Sequence, residues 1–362
     1  MTIRASTTAL LTVALAVFAA CTAKETDGTP VSTDDPSDAG EGDAGDSDGI
    51  DECEGVDFPA AGHPPRVLVV LDRSVSMELG TPDSPWEACA DALVAITAQL
   101  DYQIEFGLLL FPVLGVVCGA PSAEPDVPIG ASTSEAIEDA MIASGPDGHG
   151  TPIAATLASA FQYLAGLDGD DERFVILATD GAPNCSDNPL YDCETCQWTG
   201  TECFDPRSCL DDLGTYSVVT EFHDNWGIDT YVIGLGGVWD AWEEVLSNTA
   251  AYGGTGDYFP AQTEDGPSEA IAALQEIAAA NAECVFDVDW GALETGVSQD
   301  PTLVNVLVEG DIAPFSADCS NADGWYWADA DTFELCLGLC EDYKWGVVSW
   351  IHASFGCETV VE

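Results

Sequence analysis

Val67-Leu68-Val69-Val70-Leu71-Asp72-Arg73-Ser74-Val75-Ser76-Met77 is the stretch on which the fold turns. Its first five residues are all apolar and rich in β-branching. A continuous run of that kind is the pattern of a strand buried on both faces, which is the situation inside a parallel sheet covered by helices. The run breaks abruptly at Asp72. One acid and two hydroxyls, Asp72, Ser74 and Ser76, therefore fall directly after the carboxyl end of a buried strand.

Working outward, the same alternation repeats. A helix is predicted from Ser84, with Ser84 as cap, Pro85 in the first turn and Trp86, Leu93, Ile96 and Leu100 at helical spacing. Gln103 to Phe111 reads as the next strand. Ser132-x-x-Glu135 reads as a capping box for a helix carrying Ile137, Met141 and Ile142. Thr151-Pro152 opens a helix with Ile153, Leu157, Phe161 and Leu164 on one face. Phe174 to Ala178 and Asp229 to Leu235 are strands, with a cysteine-rich insertion at about 182–212 between them. A helix containing Trp242 and Leu246, a short edge strand near Tyr258 and an alanine-rich helix from about Ser268 to Ala282 complete the series. The prediction for 64–283 is an α/β fold: a doubly wound, mostly parallel sheet with helices on both faces.

Beyond Cys284 the texture changes. Thr302 to Val308, Trp325 to Trp327, Phe333 to Leu337 and Gly346 to Phe355 read as short strands between Gly, Asp and Asn turns, and no amphipathic helix of useful length is read there. Residues 284–362 are predicted to be a small all-β module stapled by its cysteines. Trp325, Tyr326, Trp327, Trp345 and Trp350 are expected to fill its core.

At the other end, Arg4 precedes the apolar run Thr8 to Ala20, too short to span a bilayer and suited to a signal peptide. Phe18-Ala19-Ala20-Cys21 resembles a bacterial lipobox. The expectation is a lipoprotein signal over 1–20, lipid on Cys21, and a cell-envelope protein held on the outer membrane, facing the periplasm or the surface. An ordinary secretory signal is the alternative. Residues 21–63 follow as an acidic, disordered tether, rich in Asp, Gly, Ser and Thr.

The chain has 362 residues, 46% of them hydrophobic, enough for a real core despite 65 acidic against 7 basic residues. That imbalance excludes nucleic acid as a partner, because phosphate contacts require Lys and Arg. It also excludes a basic patch for anionic lipid. Fourteen cysteines in an exported chain point to disulfides. The candidates fall into three groups: Cys89 with Cys118; Cys185, Cys193, Cys196, Cys203 and Cys209; and Cys284, Cys319, Cys336, Cys340 and Cys357. The expectation is a Cys89–Cys118 bridge, at least two bridges inside the 185–209 cluster, and bridges within 284–357.

Asp180 follows the Phe174 strand, and Thr151 belongs to the loop that opens its helix. In an open parallel sheet, loops at the carboxyl ends of strands share one rim, where ligands bind. Asp72, Ser74, Ser76, Thr151 and Asp180 can therefore meet there, although Thr151, Ser74 and Ser76 could each be a mere helix cap and Asp180-Gly181 an ordinary turn. Two carboxylates and three hydroxyls make a hard-oxygen set suited to Mg²⁺, Mn²⁺ or Ca²⁺.

These motifs carry a resemblance. Asp72-x-Ser74-x-Ser76, His149-Gly150-Thr151-Pro152-Ile153 and Thr179-Asp180-Gly181, in that order, resemble the three metal-binding loops of von Willebrand factor type A domains. Val75 stands where Gly is commoner. The resemblance implies a metal-ion-dependent adhesion site, with Ser74, Ser76 and Thr151 on the cation and the aspartates acting through water. The cysteine placements and the C-terminal ending also resemble exported myxobacterial type A proteins. The expected function is then binding of a partner protein that presents an acidic residue. The rivals are an envelope protein whose metal only stabilises the fold and a metal-dependent hydrolase. No Gly-x-Ser-x-Gly, His-Glu-x-x-His or phosphate-loop motif supports an enzyme.

Overall fold

The structure is a computed structural model that describes residues 56–361, apart from 60, 63, 80–83, 102, 170, 187–209, 237–239, 263–266, 289, 291–299, 349 and 357. The expected signal peptide, Cys21, most of the tether, and Cys193, Cys196, Cys203, Cys209 and Cys357 lie outside the described residues.

The central sheet has six strands in the order β5-β4-β3-β6-β7-β8. These are β3 (Arg66–Asp72), β4 (Glu105–Phe111), β5 (Val127–Gly130), β6 (Arg173–Thr179), β7 (Asp229–Leu235) and β8 (Phe259–Ala261). All pair in parallel except β5, an antiparallel edge strand absent from the sequence reading. The strand β3 sits in the middle, Asp72 beside Phe111 of β4 and Leu71 beside Ala178 of β6.

Its unbroken apolar run now has a cause. Val67, Val69 and Leu71 face a core completed by the helices α1 (Pro85–Leu100) and α6 (Ser268–Asn281). Leu68 and Val70 face the opposite core, against α3 (Ile153–Ala165), α4 (Asp212–Trp226) and α5 (Asp240–Tyr252). Successive strand residues point to opposite faces, so a strand covered on both must be apolar throughout. Helix α1 starts as read, with a capping box in which Ser84 Oγ accepts from Glu87 N at 3.1 Å and the Glu87 carboxylate accepts from Ser84 N. Helix α2 (Ser134–Ala143) does not use the Ser132–Glu135 box. Its first amides and the Ser134 hydroxyl are held by the Asp101 carboxylate instead, a cap from another part of the chain.

The C-terminal module differs from its prediction in two ways. First, it is discontinuous. The strands β1 (Val56–Pro59) and β2 (Ala61–Gly62) fall within the stretch read as tether, yet they complete two four-stranded antiparallel sheets, β1-β14-β10-β11 and β12-β13-β9-β2. The remaining strands are β9 (Val285–Asp287), β10 (Val304–Val308), β11 (Asp311–Ala313), β12 (Trp325–Trp327), β13 (Thr332–Leu335) and β14 (Ile351–Phe355). The α/β domain is thus inserted between two pieces of one module. Second, the module is not all-β, because Leu337–Lys344 form a helix, α7, that buries only Leu339 and Tyr343. So thin an apolar face left no periodic signal.

Trp325 is fully buried among Phe333, Phe315 and Trp327, with its Nε1 donating to Ala313 O at 3.1 Å. Trp345 and Trp350, expected in that core, are exposed. The main chain of Trp345 instead receives a hydrogen bond from Gln99 Nε2 of α1, and Trp350 lies against the His352 ring. Gln103, just after α1, donates similarly to Tyr343 O, so α7 is fastened to the α/β domain through main-chain carbonyls.

Among the described residues two bridges lie in the module, Cys284–Cys340 and Cys319–Cys336, both inside the expected C-terminal set. The Cys89–Cys118 pairing is overturned. Cys118 bonds Cys185, and Cys89 is a free thiol buried on the inner face of α1. Burial alone pushes that thiol up to about 12, so it behaves as a small apolar side chain.

Candidate metal site at the carboxyl end of the sheet

The strands β3 and β6 end at one level, and the groups that follow them interlock. Asp72 is 0% exposed. One of its oxygens accepts from Ser74 N at 2.8 Å and the other from Thr179 Oγ1 at 2.6 Å. Ser74 Oγ and Ser76 Oγ lie 2.9 Å apart, and Ser76 Oγ donates to Asp180 Oδ1 at 2.9 Å. A chain of side-chain oxygens thus runs through Ser74, Ser76 and Asp180, with Asp72 attached through the Ser74 amide.

Thr151 is buried at the mouth of α3 and is fixed through its main chain. Its N–H donates to Asn184 Oδ1 at 2.6 Å, and its carbonyl accepts from Asn184 N at 2.9 Å. The loop before it is laced to the Asp72 loop, as Val75 N donates to Gly148 O and Gly148 N donates to Arg73 O, each at 2.9 Å. Glycine is required here for space. A Cβ on Gly148 would stand 2.5 Å from Pro112, and one on Gly150 would stand 2.6 Å from Cys185 Sγ, at a φ of 85°. The Cys118–Cys185 bridge therefore packs directly on the residue before Thr151.

The structure thus gathers Asp72, Ser74, Ser76 and Asp180 by direct hydrogen bonds and brings the Thr151 loop against them. His149 is exposed, and its carbonyl accepts from Cys118 N. Two contributors were not given a role from sequence: Thr179, which holds the Asp72 carboxylate, and Asn184, which holds Thr151. Thr179 was legible as the residue joining the strand to Asp180; Asn184 carried no signal.

The electrostatics are unusual for a stable interior. Among the described residues neither Asp72 nor Asp180 is paired with a basic group; their hydrogen-bond donors are hydroxyls and amides. Arg73, the one cation in the Asp72 loop, turns its Nε to Pro112 O at 3.0 Å. Burial pushes the Asp72 carboxyl up to about 7, with the nearby Asp180 charge adding to the rise. Burial likewise raises Asp180 to about 6, against the pull of the Ser76 hydrogen bond. A buried carboxylate with no counter-charge is costly, so this donor set fits a small hard cation that supplies the missing charge. Among the described residues no group of three or more His, Cys, Asp or Glu could hold a metal; the set depends on its hydroxyls.

No family model matches the chain, and no curated relative does. Solved structures do align. A variant of the PilB minor pilin from Streptococcus sanguinis aligns at 17% identity and a TM-score of 0.44, over 60% of this chain and 61% of that one. The von Willebrand factor domain of the type V pili tip protein Mfa5 from Porphyromonas gingivalis aligns at 13% identity and 0.44, over 67% of this chain and all of that one. Manganese-loaded TRAP protein from Plasmodium vivax aligns at 14% identity and 0.38, over 61% and 76%. The structural neighbours therefore include type A domains. At these identities and scores they carry nothing about chemistry, and the chain spans less than two thirds of the pilin.

Proposed function

We propose that this chain is an exported protein of the type A class that binds a partner protein through a divalent cation, Mg²⁺ foremost, held by Asp72, Ser74, Ser76, Thr151 and Asp180. The observation that carries the reading is the buried Asp72 carboxylate, hydrogen-bonded to Ser74 and Thr179 with no basic partner among the described residues, beside Asp180 at the carboxyl end of the sheet. When bound, the cation supplies a positive centre with coordination left over for a partner's carboxylate. The chain's own residues do the rest. Thr179 orients Asp72, Ser76 links Ser74 to Asp180, and Asn184 sets the height of Thr151. The hydroxyls are neutral, so the set neutralises a dication less than a carboxylate cage would. On a chain of formal charge −58, an acidic partner approaches only where such a cation offsets the repulsion.

This role involves no turnover. The proposal also places the protein in the bacterial envelope, anchored by lipid on Cys21; among the described residues no helix is long and apolar enough to cross a membrane. Acyl mass on Cys21 in the mature protein tests the anchor, and an unmodified mature chain starting elsewhere contradicts it. Metal-dependent capture of one envelope protein by the wild type tests the function. It should vanish in EDTA, return with Mg²⁺ or Mn²⁺, and be absent in Asp72→Ala at matched folding. Capture indifferent to EDTA leaves only a structural metal or none.

A further inference from the structure

In a chain so rich in acid, no charged residue occurs between Glu105 and Glu124. That interval covers β4 and the loop after it, and the loop ends up beside the candidate site. Arg73 N donates to Phe111 O at 2.5 Å, Arg73 Nε to Pro112 O, and Cys118 N to His149 O at 2.8 Å. The Cys118–Cys185 bridge then ties the loop to the segment carrying Asp180. All three loops of the site are thus fastened to it.

The loop does not tuck its apolar residues away. Val113 N donates to Gly119 O at 2.7 Å and closes the base; Gly119 N donates to Val116 O; Gly115 takes a φ of 77° at the tip. This closed turn holds Leu114, Val116 and Val117 in solvent, 43%, 55% and 53% exposed. The Asp72 loop contributes Val75 at 40% and Leu79 at 74%. Exposed aliphatic residues scattered singly are ordinary, but five on two adjoining loops, three of them in a stretch without charge, are not.

We propose that these five residues form the apolar rim of the docking surface, and that the partner presents its acidic residue flanked by apolar side chains. The inference rests on the metal-site reading and adds the partner's chemistry to it. Charge complementarity decides between occupants. A basic partner would be drawn to the acidic surface elsewhere and gains nothing from an uncharged loop. A partner with several carboxylates is repelled by the chain as a whole. A single carboxylate set among aliphatic groups meets the cation at the centre and buries apolar area against the rim, excluding water from the contact. Because the loop is closed by hydrogen bonds and a disulfide, little ordering entropy opposes docking.

The test is selection of a random nonapeptide phage library on the immobilised full chain in Mg²⁺, followed by affinity measurement of the enriched peptides as synthetic probes. The rim predicts enrichment of one Asp or Glu with Leu, Val, Ile or Phe within two positions. It also predicts at least a tenfold loss of affinity in the triple variant Leu114→Ser, Val116→Ser, Val117→Ser, with Mg²⁺ affinity unchanged. These side chains are exposed, so the variant should fold, and its melting curve checks that. An acidic residue enriched among polar or basic neighbours, or equal affinity in the triple variant, overturns the rim while leaving the metal site standing. Enriched peptides that bind equally in EDTA and to Asp180→Ala overturn both.

Discussion

The two folded parts of this chain solve the same problem by different means. The α/β domain covers its sheet twice, with one apolar cluster on each face, and its one described disulfide lies outside both, at the rim beside Gly150. The module has a single aromatic-rich cluster, and two of its bridging cysteines, Cys284 and Cys340, belong to that cluster or pack against it. Burial scales with size, so the larger part can leave a buried cysteine unbridged, while the smaller needs cross-links to reach comparable stability. A disulfide in the α/β domain is then free to serve the site, whereas those in the module serve the fold.

That contrast can be broken. The largest effect expected is in the module: Trp325→Ala empties the centre of its cluster and should cost about 3–5 kcal/mol. Loss of the module's near-ultraviolet aromatic signal at a denaturant concentration that leaves the α/β helices intact would show it. A single unchanged transition for the whole chain would mean the two parts do not unfold separately.

Next comes the rim disulfide. Replacing Cys118 and Cys185 by Ser opens a link spanning 67 residues and should cost about 2–4 kcal/mol. Because that bridge packs on Gly150, Mg²⁺ affinity should fall with it. Replacing Cys284 and Cys340 should destabilise the module and leave Mg²⁺ affinity alone. Calorimetric titration of both double variants separates the two roles, and equal affinities in the two would erase the distinction.

The site's acidity gives a third effect. Asp72 titrates near 7 in the folded metal-free chain and near 3.8 when unfolded, so the native state holds the extra proton. Asp72 therefore contributes stability to the metal-free domain that is fully present below about pH 4 and is lost as pH rises through 7. Added Mg²⁺ should raise the melting temperature at pH 7.5, release protons on binding, and have little effect at pH 5. A Mg²⁺ response as large at pH 5 as at pH 7.5 would contradict it. The smallest effect is local: Ser84→Ala removes the cap of α1 and should cost about 1 kcal/mol, read as a shift in urea midpoint without change in Mg²⁺ binding.

How far the molecule was legible follows the same division. The strands β3, β6 and β7 were readable because covering both faces forces apolar runs. The strand β4 starts two residues after the predicted Gln103, which is buried and donates to Tyr343 O, a tertiary contact no local pattern reveals. Helix α4 escaped notice because it buries little beyond Thr215 and Val219. Cys89 was paired with Cys118 by neighbourhood in sequence, though its helical position pointed it into the core. Topology held the better clue, since Cys118 and Cys185 both follow carboxyl ends of strands. The module's boundary was hidden because β1 and β2 are short and draw their partners from beyond residue 284. Asp72, Ser74, Ser76 and Asp180 were legible because each follows directly on a recognisable strand.

The central claim is that these oxygens hold a divalent cation. It is tested most directly by calorimetric titration of Mg²⁺ into the metal-free full chain at pH 7.5, wild type beside Asp180→Ala, with folding matched by melting. The account predicts one site in the wild type and at least a tenfold weaker one in the variant. No binding to the wild type, or the same affinity in both, would contradict it.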